Sequence, residues 1–389
     1  MTRAVIIGAG IGGAAAGIAL TRLGYDVEIY DQITENRPVG AAISVWSNGV
    51  KALNWLGLEA ETAALGGRMD TMAYRDGRTG ATMCEFSLAP VTRAMGQRPY
   101  PIARAELQQM LIDAYEARSG RPVRFGRRMT SLAQHDDLVE VSFADGTRVT
   151  ADLVIAADGA RSVARAYVLG RQAQPRYAGY VNVNGLVDVD PRIGPPQQWT
   201  TYVADGMRAS VMPVAGDRFY FFLDVRAPAG IGHDPNGIRG ELDRHFDGWA
   251  PGVQHLISVL DPATTNRVEI HDTDPFDTWV RGRVALLGDA AHHTTPDIGQ
   301  GGCLALEDVV VLERVLATTT LGLEDALRRY QAARAPRAAE LVLRARKRCD
   351  VTHAADPAVT QAWYEELRRE DGSGVLAGII GNMAGNPLG

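Results

Sequence analysis

With 389 residues, 46% of them apolar, the chain can bury a sizeable core and is too long for one small one, so two domains or one large layered assembly are expected. Forty Lys and Arg against 46 Asp and Glu, interspersed to a net charge of −6, leave no basic face for a phosphate backbone and exclude a nucleic-acid partner. Three well-separated cysteines, Cys84, Cys303 and Cys349, fit reduced thiols rather than a disulfide framework or a metal cluster.

The chain opens on Val5-Ile6-Ile7, three β-branched residues that read as a short buried strand, followed by Gly8-Ala9-Gly10-Ile11-Gly12-Gly13. Gly8 permits a tight turn, Gly10 lets backbone N–H groups approach a pyrophosphate, and Gly13 lets the next helix, Gly13 to Leu23, pack on the strand. A second strand, Asp26 to Tyr30, ends in Asp31, where a carboxylate can accept bonds from ribose hydroxyls. Strand, glycines, helix, strand and acid in that order predict a dinucleotide site, without separating NAD from FAD. The glycines also break the apolar run, which excludes a signal peptide, and no apolar segment is long enough to cross a bilayer. The expected location is the cytoplasm, with no membrane partner.

Pro38 to Ser44 is a loop of small residues that could lie along an extended cofactor. Asn48 is a candidate cap for a helix to Leu56. Ala73 to Phe86 reads as a hairpin around Asp76-Gly77. Arg104 falls in the first turn of a helix reaching Arg118, an unfavourable place for a cation unless an anion lies nearby. From Val123 to Val154 the pattern is strand, hairpin, strand, running into Asp158-Gly159-Ala160-Arg161-Ser162, with Ser162 and Arg165 opening a helix. Composition then shifts to alternating strands, Tyr180 to Val187, Trp199 to Val203, Arg208 to Val214 and Phe219 to Val225, which predict an inserted antiparallel sheet. Arg239 to Leu260 reads as helix with a break between Gly248 and Pro251, and Arg267 to His271 as a strand.

The first domain resumes at the buried strand Val284 to Leu287, followed by Gly288-Asp289 and the loop Pro296 to Gly302, with a helix from Cys303. Helical periodicity continues from Leu323 to Cys349 with a break expected at Pro336. No structure is assigned beyond Gly372. The resulting fold class is α/β with an α+β insert: a Rossmann-like GxGxxG domain (1–72, 101–172 and 276–345), an inserted antiparallel-sheet substrate domain (73–100 and 173–275), and C-terminal helices and tail (346–389).

Asp289 can accept a bond from a ribityl hydroxyl, and the amides of the glycine loop before the 303 helix can face the edge of an isoalloxazine where reduction places negative charge. That turns the dinucleotide into FAD. Alternation puts Arg208, Ser210 and Met212 on one strand face, and a three-residue turn at Ala215-Gly216-Asp217 would pair Tyr220 with Met212, on the same face as Arg208. Asn182 projects from a neighbouring strand. Arginine supplies a fork of donors and a positive charge, and Asn and Tyr can each donate or accept, a set suited to a planar anionic ring. The residues alone leave open an ordinary half-solvated polar face.

The motifs Gly8 to Gly13, Asp158 to Arg165 and Gly288 to Gly302 together resemble those of the single-component aromatic-ring flavoprotein monooxygenases of the para-hydroxybenzoate hydroxylase fold, over almost the whole chain. Val39 to Trp46, Arg176 to Asn182, Arg218 to Phe222 and Thr294 to Cys303 are most similar to members of that family that hydroxylate urate. The resemblance implies FAD contacts at Gly8, Gly10, Ile11, Gly12, Gly13, Asp31, Gln32, Ser44, Arg104, Met129 and Asp158. It implies further ones at Asp289, Gly299, Gln300, Gly301, Gly302 and Cys303. It implies catalytic roles for Arg208 and Tyr220, and substrate contacts at Asn182, Arg208, Tyr220, Phe221, Phe222, Pro296 and Gly299, with no metal. The implied reaction is conversion of urate to 5-hydroxyisourate in purine catabolism, with NADH as transient co-substrate and O2 entering through a C4a-hydroperoxyflavin. The motifs would equally serve a hydroxylase of a phenol or another N-heteroaromatic ring, or a flavoprotein that senses ligand without turnover. His292 and Cys303 are expected to pack rather than react, His292 having no evident carboxylate partner and Cys303 sitting where a helix start could depress its pKa. NADPH in place of NADH, and a homodimer, are left open.

Overall fold

The Val5-Ile6-Ile7 run lies in a strand, Arg3–Ile7, whose apolar side chains are buried on both faces, as a parallel sheet covered by helices requires. The structure, a computed structural model, describes residues 2–36, 41–232, 237–318 and 322–389. Pro38 to Gly40 of the predicted small-residue loop, and with them Val39 and Gly40 of one segment that carries the resemblance, lie outside the described residues.

Among the described residues the strand joins a five-stranded sheet in the order Val280–Arg281, Val284–Leu286, Leu153–Ala156, Arg3–Ile7, Asp26–Tyr30, with the last four parallel. The chain enters this sheet, leaves it, and returns at residues 153 and 284, so the dinucleotide strand has its parallel neighbours far away in sequence. The helices Ile11–Arg22, Arg104–Ser119 and Gly301–Thr318 pack around it, and a single apolar cluster runs through all of them.

A second, seven-stranded sheet has the order Asn266–Thr273, Pro175–Asp188, Arg218–Arg226, Met207–Val214, Gln198–Ala204, Thr71–Asp76, Thr82–Ser87. It is not wholly antiparallel: Gln198–Ala204 runs parallel to Thr71–Asp76, the inner strand of the hairpin of residues 71–87 that completes this edge of the sheet. Strand period then divides the side chains. Phe219, Phe221, Leu223 and Val225 pack into one cluster with the helices Gly237–His245 and Pro251–Val259; Met212, Tyr220 and Phe222 belong to another, with Trp46, Trp363 and Tyr364. Both faces of the sheet are covered.

Three local expectations are corrected. Pro336 does not end its helix, which runs unbroken from Leu323 to Thr352. Its ring costs about 3 kcal/mol in an isolated helix, but here Arg334, Ala335 and Ala338 are buried on either side of it and tertiary packing holds the path. Asn48 is not a cap: the helix is Ser47–Trp55, and the Asn48 side chain is 0% exposed inside it. The stretch after Gly372 forms a helix, Ser373–Met383, against the Ala89–Met95 helix. No helix among the described residues is long and apolar enough to cross a membrane.

Candidate active site

The glycines divide between packing and access. Gly8 has φ +103°, and a Cβ there would lie 2.2 Å from the Ala157 carbonyl oxygen. A Cβ on Gly13 would lie 1.9 Å from the Gly8 carbonyl oxygen, so the helix sits on the turn with no room for a methyl group. At Gly10, the residue before the helix Ile11–Arg22, a Cβ would meet nothing within 4 Å, and no side chain caps the helix. Free N–H groups and positive dipole therefore face open space, the arrangement that receives a phosphate. The Asp31 carboxylate accepts from Ala9 N at 2.6 Å and Ile33 N at 2.9 Å, which ties the end of the second strand to the glycine turn.

Gly288, at φ +64°, lets the chain turn out of its strand into Asp289. Arg165, 4% exposed, donates to the carbonyls of Asp289 (2.5 Å), Ala290 (2.7 Å) and Ala160 (2.9 Å), and so clamps the Asp158–Arg165 motif to the Asp289 turn. Asp158 uses both carboxylate oxygens on Ser162 Oγ and the N–H groups of Val163 and Ala164; it braces the first turn of the helix Val163–Leu169, whose cap is Ser162, and is not among the residues lining the cavity. Beneath the turn, Asp308 accepts from Gly288 N (3.0 Å), His292 Nε2 (2.7 Å) and Arg334 Nε (2.7 Å). Glu307 accepts from Arg334 and Arg337, and Asn48 donates to Glu307 and Gln300, both at 2.8 Å. His292 thus has a carboxylate partner, contrary to the sequence reading, and it is held in this network away from the cavity.

Burial pushes the Asp308 carboxyl up, but His292 and Arg334 outweigh it and hold it below its ordinary value. Its stabilising contribution is therefore present above the unfolded-state value of about 3.9 and is lost as pH falls through the lower folded value. Arg334→Met should destabilise the protein by about 3–5 kcal/mol, since it leaves a buried carboxylate without its cation. The check is the urea midpoint at neutral pH, and a fall of under about 1 kcal/mol would contradict the assignment.

The cavity runs from this turn to the seven-stranded sheet and has a volume of about 650 Å³, within the range of small-molecule and cofactor sites. On the sheet the register is Asn182 opposite Asp224 opposite Arg208, three adjacent strands in one row, with Tyr220 opposite Met212. Asp224, 0% exposed, accepts from Asn182 Nδ2 at 2.6 Å and from Arg208 Nε at 2.7 Å; Asn184 Nδ2 donates to Asn182 Oδ1 at 2.7 Å, which fixes the amide's orientation. Arg208 also lies 3.6 Å from Asp297 Oδ1, and Tyr180 donates to Asp297 Oδ2 at 2.9 Å. Its guanidinium stands 5.0 Å from the centre of the Phe222 ring.

Burial would lower the Arg208 pKa, but Asp224 and Asp297 overrule it and keep the cation. Burial raises Asp297, yet His353 and Arg208 hold it at about 2. Burial, then Asp224, push the Tyr220 phenol up, so it remains an O–H donor at neutral pH.

Of the residues expected at the site, Gly10, Ile11, Gly12, Ser44, Arg104, Asn182, Arg208, Tyr220, Phe222, Asp289, Pro296, Gly299, Gly301 and Gly302 line this one cavity. Gly8 and Gly13 are the packed side of the glycine turn, Asp31 is hydrogen-bonded to it, Gln32 is an exposed residue just after Asp31, and Met129 is buried in the first core. Gln300 is 1% exposed and accepts from Asn48. Phe221 is corrected outright: strand parity turns it into the opposite core, 0% exposed. Cys303 is corrected in its chemistry, since burial pushes its thiol up to about 12, while Trp46 N donates to its sulfur. Asp224, Asp297 and His353 were missed. Asp224 was legible, being opposite Arg208 once the hairpin register is counted; His353 carried no signal.

The lining fits a flavin dinucleotide. Beyond the open glycine turn, a Cβ on Gly299 would strike Trp46 Nε1 at 2.7 Å and Ser44 Oγ at 2.8 Å, so the glycine loop lies close against that wall. Trp46 Nε1, Thr295 Oγ1 and His293 Nδ1 are buried without a hydrogen-bond partner among the described residues, and all three residues line the cavity. Gly10, Gly12, Asp289, Gly301 and Gly302 would hold the group. No cluster of His, Cys, Asp or Glu among the described residues could hold a metal ion.

A dinucleotide turn, an acid on a second turn and a polar sheet face on one cavity define a flavoprotein of the FAD-binding-domain family; residues 1–345 match that family, and the chain belongs to it. Its relatives are specific. The chain is 58% identical over 388 residues to the FAD-dependent urate hydroxylase of Mycolicibacterium vanbaalenii, covering 99% of this chain and 98% of that protein. It is 52% identical over 387 residues to the FAD-dependent urate hydroxylase of Klebsiella pneumoniae, covering all of both. The crystal structure of Klebsiella pneumoniae HpxO complexed with FAD and uric acid superposes with a TM-score of 0.95 at 51% identity, over 100% of this chain and 98% of that one.

Proposed function

We propose that this protein hydroxylates urate at C5 to 5-hydroxyisourate, using FAD, NADH and O2. The observation that carries the reading is the row Asn182, Asp224, Arg208 with Tyr220 on a sheet face that shares one cavity with the Asp289 turn and the Gly299–Gly302 loop; relatives matched over nearly their whole length, at 52% identity and above, are urate hydroxylases.

When bound, FAD would supply the redox chemistry, passage of reducing equivalents from NADH to O2 and an activated oxygen for the ring. The chain does the rest. Arg208 presents a fork of N–H donors to the carbonyl and ring-nitrogen acceptors of urate and balances its charge. Asn182, its amide fixed by Asp224 and Asn184, retains one N–H for a ring carbonyl, and the Tyr220 phenol donates to another. With the ring pinned at three points, its C5 is held at one position and angle, which converts an encounter between two molecules into a local step. Met72, Met212, Trp199 and Phe222 make the apolar remainder of the wall and keep water from competing for the oxygen. NADH would bind only transiently, a reading supported by the one GxGxxG motif in the sequence.

In this reading 1–72, 101–172 and 276–345 carry the cofactor and 73–100 with 173–275 carry the ring. The three cysteines are buried and unpaired, which supports a reducing, cytoplasmic setting. The assay is NADH and O2 consumption by the yellow protein with urate, with 4-hydroxybenzoate and with neither. Urate alone should stimulate both and yield 5-hydroxyisourate. Stimulation by the phenol but not by urate would overturn the substrate, and FAD binding with no stimulated NADH use would make the protein a ligand-binding flavoprotein.

A further inference from the structure

Behind Arg208 lies a group that the reaction as read above leaves unused. His353 follows the last residue of the Leu323–Thr352 helix, its side chain 2% exposed, and its ring stacks on Tyr180 at 4.0 Å between centroids. Nδ1 is 3.0 Å from the Gly206 carbonyl oxygen. Nε2 is 3.6 Å from Asp297 Oδ1 and 3.7 Å from Asp224 Oδ2, and neither it nor Asp297 Oδ1 has a hydrogen-bond partner among the described residues.

Both ring nitrogens therefore face acceptors. A neutral imidazole carries one N–H and one lone pair. With the proton on Nδ1, the Nε2 lone pair points at two carboxylates; with it on Nε2, the Nδ1 lone pair meets a carbonyl oxygen at 3.0 Å. Only the imidazolium offers a donor to every neighbour. Charge counting agrees, for Asp224 and Asp297, both with side chains 0% exposed, set two negative charges against the single guanidinium of Arg208. An uncompensated buried charge is expensive, and one more cation removes it.

We propose that His353 is a positioning residue held as an imidazolium, whose charge neutralises the Asp224–Asp297 pair and leaves Arg208 free to direct its donors and its field at the urate anion. The inference deepens the urate reading and rests on it. Without the imidazolium the two carboxylates draw the guanidinium back, and the pocket carries net negative charge before an anion arrives.

The groups that face His353 are Asp224, bonded to Arg208 and Asn182; Asp297 on the 296–298 turn; Arg208; Tyr180 on its strand; and Cys349 one turn back on its own helix. Burial pushes the Tyr180 phenol and the Cys349 thiol up, so both keep one charge state across neutral pH. Removing the His353 charge should therefore raise KM for urate while FAD affinity stays level.

NMR of isotopically labelled histidine in the FAD-loaded protein without urate should show both ring nitrogens of His353 protonated near neutral pH, its signal assigned by its loss in His353→Gln. That variant should keep FAD, raise KM for urate about tenfold or more with a smaller change in kcat, and oxidise more NADH without product. His353→Phe, which keeps the stack on Tyr180, should do the same and serves if the first variant folds poorly. A neutral tautomer in the spectrum, or unchanged KM and coupling in both variants, would overturn the proposal. A wild-type enzyme indifferent to urate would instead sink the substrate assignment, while the spectrum would still decide the charge on the ring.

Discussion

Replacing Arg208 with alanine is expected to leave FAD bound and NADH oxidation running while urate hydroxylation falls by at least about a hundredfold, the reducing equivalents appearing as hydrogen peroxide. The ion-pair and ring partners of the guanidinium are Asp224, Asp297 and Phe222, none of them among the residues that would hold FAD, so the yellow colour should persist. The ring end loses its only fork of donors on the Met207–Val214 strand and its charge balance. Two further effects separate from this one. Asp224 and Asp297 are both buried beside Arg208, so the alanine variant should also lose about 3–5 kcal/mol of stability unless one carboxylate protonates. Arg208→Gln keeps a donor for Asp224 and should recover part of that stability while remaining uncoupled. Measuring product and peroxide against NADH consumed, beside a melting curve, distinguishes the losses. Tightly coupled hydroxylation in either variant would remove Arg208 from its role.

The second large effect lies at the other end of the cavity and comes as a pair. Gly13→Ala places a methyl carbon 1.9 Å from a backbone oxygen, and no flexible side chain can give way, so folding should suffer by at least about 3 kcal/mol. Gly10→Ala places the same methyl in open space on a backbone with φ −66° that alanine adopts without strain. The flavin-free protein should then be as stable as wild type within about 1 kcal/mol, while the Kd for FAD rises at least about tenfold. Melting the flavin-free proteins and titrating each with FAD gives both numbers. Equal FAD affinity in Gly10→Ala and wild type would mean that the cofactor does not approach this turn.

The parts of the site that follow from local rules were legible in the chain. Glycines spaced for turn, access and packing need only steric reasoning, and counting the hairpin through Ala215-Gly216-Asp217 pairs Tyr220 with Met212, as the sheet does. The same counting would have reached Asp224 opposite Arg208, and would have turned Phe221 away from the cavity, had parity been carried through to every residue of the strand. What was hidden was long-range. The parallel pairing of the 198–204 strand with the 71–76 strand joins segments more than a hundred residues apart, and no local pattern announces it. Asp297 reads as a loop acid until the sheet brings Arg208 to it. The partner of His292 lies sixteen residues on, in a helix that packs beneath the turn. A proline rule written for isolated helices predicted a break at Pro336 that tertiary packing overrode, and with the break went any means of placing His353.

That unbroken helix sets a constraint on how the chain can change. At 1.5 Å per residue, thirty residues make a rod of about 45 Å. Arg334 and Arg337 near its middle grip the glycine-loop helix, while the residue after its end reaches the sheet. Each residue added or removed between 337 and 353 would swing the far end by about 100° and slide it along its axis. Exposed positions of that span such as Leu343 can exchange, but its count cannot: evolution can repaint parts of this shaft, and can neither lengthen nor shorten it without taking the imidazole out of the pocket.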